Sequence, residues 1–347
     1  MHRAARHSRL RPASWSRLPD DELLKLRFCD LGLSLDRAPV ARAMRKLHRE
    51  LDDRGIDFKP HAWLAEEWFS PDGVPGIAIP FFLAHPRLEQ LERRMSRSVE
   101  GGNANWLMRI LRHEAGHAVD TAYRLRRRKR WRETFGPASL PYPDRYRARP
   151  GSRRYVHHLG DWYAQAHPTE DFAETFAVWL QPRSSWRRHY ADWPALQKLQ
   201  TVEDFMAEVR LRKPAVRART RIEPLDQNTR TLAEHYRRRR AQRLQYRRST
   251  ADDLLRKIFT DRPKRAAAMR AAALLREHRA PLVASIVRDL GVDRYSVFQM
   301  LRMAIERSDK LGLFLRGSQR DALRNARWML SRLTTLYLST ESPQIAL

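Results

Sequence analysis

The chain has 347 residues, with 68 Lys and Arg against 40 Asp and Glu, a formal net charge of +28 at pH 7. A hydrophobic share of 42% supports a full core, and the length suits one large domain or two ordinary ones. The longest apolar run, residues 77–84, is interrupted by Pro80 and falls far short of the roughly 20 residues needed to cross a bilayer, which excludes a helical membrane span.

The positive excess favours an anionic partner such as acidic peptide or nucleic acid, although arginine spread over solvated helix faces gives the same sum. Cys29 stands alone, so no internal disulfide forms. That fits a reducing compartment, with the cytoplasm as default, and leaves His, Asp and Glu to bind any metal.

In chain order, residues 1–20 are basic and lack the apolar segment of a secretory signal, so they read as a flexible leader. Residues 36–54 carry Val40, Met44, Leu47 and Leu51 at helical spacing, with Gly55 as a stop. Two aromatic and β-branched runs, 58–69 and 77–83, flank the turn sequence Ser70-Pro71-Asp72-Gly73. They are expected to pair antiparallel, with Pro75 and Pro80 placing the second run at a sheet edge or putting a bulge in it. A short helix over 88–97 precedes the break Gly101-Gly102-Asn103, and a long helical pattern follows from about 105 to 128.

A proline-rich loop with several tyrosines occupies 136–151. Pro168 then opens a helix running to about residue 181, with Phe172, Phe176, Trp179 and Leu180 on one side. Beyond about Val202 strand signals vanish and arginine-rich helical patterns continue to the end. The expected organisation is α+β: a leader at 1–20, a mainly helical domain with a small antiparallel sheet at 21–204, and a basic, all-helical region at 205–347.

Within the long helix lies His113-Glu114-Ala115-Gly116-His117. Residues four apart share a helix face, so both imidazoles can reach one tetrahedral ion, while Glu114, about 100° round, is placed to take a proton from water. Chance supplies this pattern in about one chain in forty of this size and make-up, so its surroundings must decide its meaning. A catalytic zinc needs a third protein ligand and one open position. Residues 170–174, Glu170-Asp171-Phe172-Ala173-Glu174, offer Glu170 and Glu174 on one face, beside the small Ala173 and Ala177. Either acid suits the role. Asp120, one turn after His117, reads as a supporting acceptor rather than a ligand.

The strings HEAGHAVD and EDFAETF resemble the catalytic domain of lethal-factor-type zinc peptidases, more broadly the gluzincins, and most closely a group of bacterial zinc-binding metallopeptidases. The resemblance covers roughly residues 100–180 and implies a zincin-like fold. It further implies Zn2+ held by His113, His117 and Glu170, Glu114 as general base, and Glu174 bonded to a ligand histidine. The family's tyrosine, seven positions before the glutamate ligand, falls on Tyr163 and would stabilise the oxyanion. His158 and His167 are alternative donors for that role. One departure is Asp171, where the lethal-factor type has an aromatic residue. The implied activity is peptide-bond hydrolysis, with the run around 77–82 as the edge along which an extended substrate lies. The basic composition suits an acidic peptide or protein substrate.

A second reading comes from the C-terminal region. Residues 284–301 carry the apolar positions of a helix-turn-helix around Gly291, and Tyr236 precedes the run Arg237-Arg238-Arg239-Arg240. This points to a nucleic-acid-binding protein with an accessory peptidase domain. A third reading is a metal-free interaction protein.

Overall fold

The computed structural model describes residues 12–339 except 37, 97, 144, 145, 147, 150, 161 and 264–268. Residues 1–11 of the basic leader lie outside the described residues. The remainder of the leader is not loose: Pro12–Trp15 forms a helical turn, and Trp15 is fully buried with its indole N–H donating to the Leu31 carbonyl at 2.9 Å.

The chain divides into two compact units, one ending at Leu232 and the next beginning at Ala233. The composition change near Val202 therefore precedes this division. The reason lies in backbone bonding: residues 210–232 are fastened to the first unit. Val216 N–H donates to the Ala122 carbonyl at 3.0 Å, Trp63 Nε1 to the Ile222 carbonyl at 2.8 Å, and Phe28 N–H to the Arg230 carbonyl at 3.0 Å.

In the first unit, α1 (Val40–Asp53) buries Val40, Met44, Leu47 and Leu51, the stripe its sequence period prescribes. Strands β1 (His61–Ala65) and β2 (Gly76–Pro80) follow, then helices α2 (Pro86–Ser96), α3 (Ala104–Tyr123), α4 (Lys129–Phe135), α5 (Pro168–Leu180) and α6 (Ala195–Val209). The mainly helical character and the small sheets are as the sequence suggests. The strand pairing is not.

β1 and β2 run parallel, with Trp63 opposite Ala78. The turn at 70–73 does make a hairpin, but its first leg is Phe69, which bridges Ala78 antiparallel and accepts its N–H at 2.8 Å. β2 thus has neighbours on both sides and all five residues buried, so it is not the exposed edge expected from its prolines. The leg beside the turn takes that position.

α3 begins where Asn103 accepts the Trp106 N–H at 2.9 Å, an N-cap bond. It ends at Tyr123, five residues before the expected end, because Arg124 turns left-handed (φ 53°). The fully buried Asp120 enforces this stop: it accepts the Arg126 backbone N–H at 2.8 Å and the Arg126 guanidinium at 2.6 Å. Upstream, Arg112 on α3 makes a two-pronged bond to Glu50 on α1 at 2.7 and 2.8 Å, both side chains buried. Neither charge is left alone in the interior, where one would cost several kcal/mol.

The second unit comprises α7 (Leu232–Ile258), α8 (Ala271–Glu277), α9 (Arg279–Leu290), α10 (Arg294–Lys310) and α11 (Gln319–Ser339). It is helical apart from one antiparallel pair of two-residue strands, β3 (Phe259–Thr260) and β4 (Phe314–Leu315). Leu255, Phe259, Leu275, Ile286, Leu301 and Leu330 belong to its core. Arg307 on α10 is forked onto Asp252 on α7, both contacts at 2.6 Å. Among the described residues no helix is long and apolar enough to cross a membrane.

α3 and α5 pack closely at one point. A Cβ added to Gly116 would lie 2.8 Å from Ala173 Cα and 3.1 Å from the Ala173 carbonyl oxygen, both backbone atoms. Helix propensity alone makes Gly116→Ala stabilising by about 1 kcal/mol. The close approach reverses the sign, and we expect a net loss of about 1–3 kcal/mol in urea unfolding. A gain in stability would show that the two helices have room to spare.

Candidate metal centre

α3 presents His113 and His117 toward α5, and α5 presents Glu170 back toward them. His113 Nε2 lies 3.1 Å from Glu170 Oε2, His117 Nε2 lies 3.3 Å from the same oxygen, and the two Nε2 atoms are 3.2 Å apart. A tetrahedral zinc bonded at 2.0–2.1 Å to nitrogen and oxygen separates its ligands by about 3.3–3.4 Å. The donor triangle therefore has nearly the dimensions that such an ion requires. Among the described residues these three form the group able to hold a metal.

The tautomer of His113 follows from its other nitrogen. Nδ1 is 2.8 Å from Glu174 Oε1, and a carboxylate can only accept, so Nδ1 carries a proton and Nε2 is the nitrogen that would face a metal. Glu174 is itself held by the Leu159 backbone N–H at 2.8 Å on Oε2. Burial opposes ionisation of Glu170, yet His117 and His113 hold its carboxyl well below the usual range.

Glu114 is buried, and its Oε2 has no hydrogen-bond partner among the described residues. Burial pushes its carboxyl up, against the two histidines, which lower it. An interior carboxylate oxygen without a donor is costly unless something else occupies the space before it. Ser70, on the turn beside β2, donates to the Glu114 backbone carbonyl at 3.1 Å. Asp72 of the same turn pairs with Arg126, so the turn is tied both to the middle of α3 and to the segment just past its end.

Among the described residues Asp120 bonds Arg126 and neither His113 nor His117, so its part is to end α3 and hold the turn. Asp171 points away from the triangle and pairs with Lys198 on α6. Burial raises its carboxyl to about 7 in spite of the lysine. This leaves Glu170, not Asp171, facing the histidines. Tyr163 is buried, with its ring centroid 5.6 Å from that of His113. Burial, then the Glu170 and Glu114 carboxylates, hold its phenol well above the ordinary value, so it stays a proton donor. His158 bonds the Arg109 carbonyl at 3.0 Å and is driven by burial down to about 4, a neutral packing residue. His167 is the N-cap of α5 and also bonds the Leu140 carbonyl at 2.9 Å.

Tyr142 escaped sequence reasoning. It sits between Pro141 and Pro143 in the proline-rich loop, stacks on His167 with centroids 3.9 Å apart, and donates to Glu170 Oε1 at 2.9 Å. Thr169 touches the same phenol oxygen. At 43% exposure, Tyr142 stands between solvent and the carboxylate. The only sequence signal was a tyrosine rigidly flanked by prolines, 28 positions from its partner.

Residues 88–191 match the family model described as "Putative zinc-binding metallo-peptidase". The matched segment contains His113, Glu114, His117, Tyr163, Glu170 and Glu174. Neither the curated proteins nor the solved structures gave a match to this chain.

By bonding Oε1, Tyr142 leaves Oε2 of Glu170 toward the histidines. Tyr142→Phe keeps the stack on His167 and deletes only that bond. Zinc affinity measured by chelator competition is expected to fall about tenfold, with stability changed by no more than about 1 kcal/mol. Unchanged affinity would remove Tyr142 from the centre.

Proposed function

We propose that this protein is a zinc-dependent peptidase of the gluzincin type, with His113, His117 and Glu170 as metal ligands and Glu114 as general base. The observation that carries the reading is the triangle of donor atoms at 3.1–3.3 Å beside the buried, unpartnered Glu114 Oε2. The match of residues 88–191 to a zinc-binding peptidase family supports the same reading from the sequence side.

When bound, the ion acidifies water and polarises the scissile carbonyl. The protein's own part is proton handling and orientation. Glu114 Oε2 takes the proton from water and delivers it to the departing amine. Its burial suits the first half of that task, since a carboxyl raised above its usual value is the stronger base. Tyr163 donates to the developing oxyanion, a role supported by its protonated phenol and its place against His113. Glu174 fixes the His113 ring, and Tyr142 fixes the Glu170 carboxylate.

The substrate is proposed to be an extended segment of an acidic peptide or protein. The leg at Phe69 and Ser70, next to α3, is the candidate edge for it, in place of β2. The net charge of +28 supports an acidic substrate, and the single cysteine suits a reducing compartment such as the cytoplasm.

Glu114→Gln tests the assignment of the base. Offered a peptide library containing acidic sequences and read by mass spectrometry, the wild-type protein with zinc is expected to give discrete cleavage products. Glu114→Gln should retain one zinc per chain and lose activity by at least about a thousandfold. Cleavage that persists in the variant would remove Glu114 from the reaction.

A further inference from the structure

The second unit has a surface that hydrolysis does not use. α9 ends at Gly291, which adopts the left-handed conformation (φ 63°, ψ 29°) and bonds the Val287 carbonyl. Val292 packs against the core, and Asp293 caps α10 by accepting both the backbone N–H and the hydroxyl of Ser296, at 2.8 and 2.6 Å. Ile286 on α9, and Val297, Met300, Leu301 and Ala304 on α10, are buried. Two amphipathic helices joined by a three-residue, glycine-initiated turn make a helix-turn-helix, and here each turn residue has a structural task.

The outer face of the second helix is unusual for a solvated one. Tyr295, Phe298, Gln299 and Arg302 follow the i, i+3, i+4, i+7 spacing of a single stripe, with Arg294 beside its N-terminal end. Tyr295 is 67% and Phe298 44% exposed, and Arg294 and Arg302 are exposed too. The acids of this helix lie in its last turns, where Glu306 pairs with Lys310 and Asp309 with Arg276. The N-terminal half therefore presents two cations and two aromatic rings to solvent. Residues 233–339 contain 25 Lys and Arg against 10 Asp and Glu, so the field around this helix is positive.

We infer that this face binds double-stranded B-form DNA, with α10 entering the major groove. A helix with its side chains is about 10–12 Å across and fits that groove, about 12 Å wide, N-terminal residues first. Arg294 and Arg302 carry the chemistry for guanine edges or phosphate, Gln299 for adenine, and the Tyr295 and Phe298 rings for thymine methyls and sugar. Double-stranded RNA is disfavoured because its major groove is too narrow for a helix. The inference does not depend on the metal centre, since every residue named belongs to the second unit.

Fluorescence anisotropy with the full-length chain and a labelled, mixed-sequence duplex of about two helical turns, at roughly 50 mM salt, tests it. Three paired variants are compared, all at exposed positions and each checked for an unchanged melting temperature. Arg294→Ala with Arg302→Ala is expected to weaken binding by at least about tenfold. Tyr295→Ala with Phe298→Ala, which leaves the charge intact, should weaken it at least about threefold. Arg237→Ala with Arg238→Ala removes the same charge from α7 and should cost less than either. Three outcomes overturn the inference. The duplex fails to bind; the α7 pair costs as much as the α10 pair, which reduces the effect to bulk charge; or polyglutamate, single-stranded DNA or double-stranded RNA competes as well as duplex.

Discussion

Everything at the candidate metal centre depends on how closely two helices approach. Gly116 lies between the two histidines in sequence, and its missing side chain lets α3 come within contact of the α5 backbone at Ala173. That contact sets the separation of the helices, and the separation decides whether Glu170 reaches His113 and His117 at the spacing of a tetrahedral ion. The same approach aligns Glu174 with His113 Nδ1. One small residue therefore fixes both the geometry of the candidate ligand set and the orientation of the His113 ring.

Around this contact the interior is unusually polar. α5 buries Glu170, Asp171 and Glu174 in two turns, and α3 buries Arg112, His113, Glu114 and Asp120. A buried charge is tolerable only with a partner. Most have one: Asp171 has Lys198, Arg112 has Glu50, Asp120 has Arg126, and Glu174 has His113 and a backbone amide. Two features stand apart. The three candidate ligand atoms lie within 4.8 Å of one another, and Glu114 Oε2, like Asp171 Oδ1, has no hydrogen-bond partner among the described residues. A cation and a water molecule are the chemical species that satisfy those two demands together.

Much of this was legible in the sequence because helices impose a period. His113 and His117 share a face by spacing, and Glu170 and Glu174 share one beside Ala173 and Ala177. What periodicity cannot convey is contact across long separations. Tyr142 reaches Glu170 through a loop whose path no local rule sets, and Ser70 meets the motif helix through a turn that sequence could locate but not orient. The strand pair came out parallel because the turn joins β2 to Phe69 rather than to β1, a choice between two similar apolar runs. Asp120 looked like a companion to the histidines from its position one turn on. Its true partner, Arg126, lies past a left-handed residue that ends the helix early, which a continuous helical pattern conceals. The helix-turn-helix was readable from Gly291 and its flanking apolar positions, whereas the exposure of Tyr295 and Phe298 required the fold.

On the proposed assignment the metal is held by His113, His117 and Glu170, with Glu174 acting on His113 from behind. Zinc content and affinity of the purified chain, measured beside Glu170→Ala and Glu174→Ala, test it most directly. The wild type should bind one zinc per chain; Glu170→Ala should lose it; and Glu174→Ala should keep the site with affinity reduced about 10- to 100-fold. Full affinity in Glu170→Ala together with loss in Glu174→Ala would contradict the account.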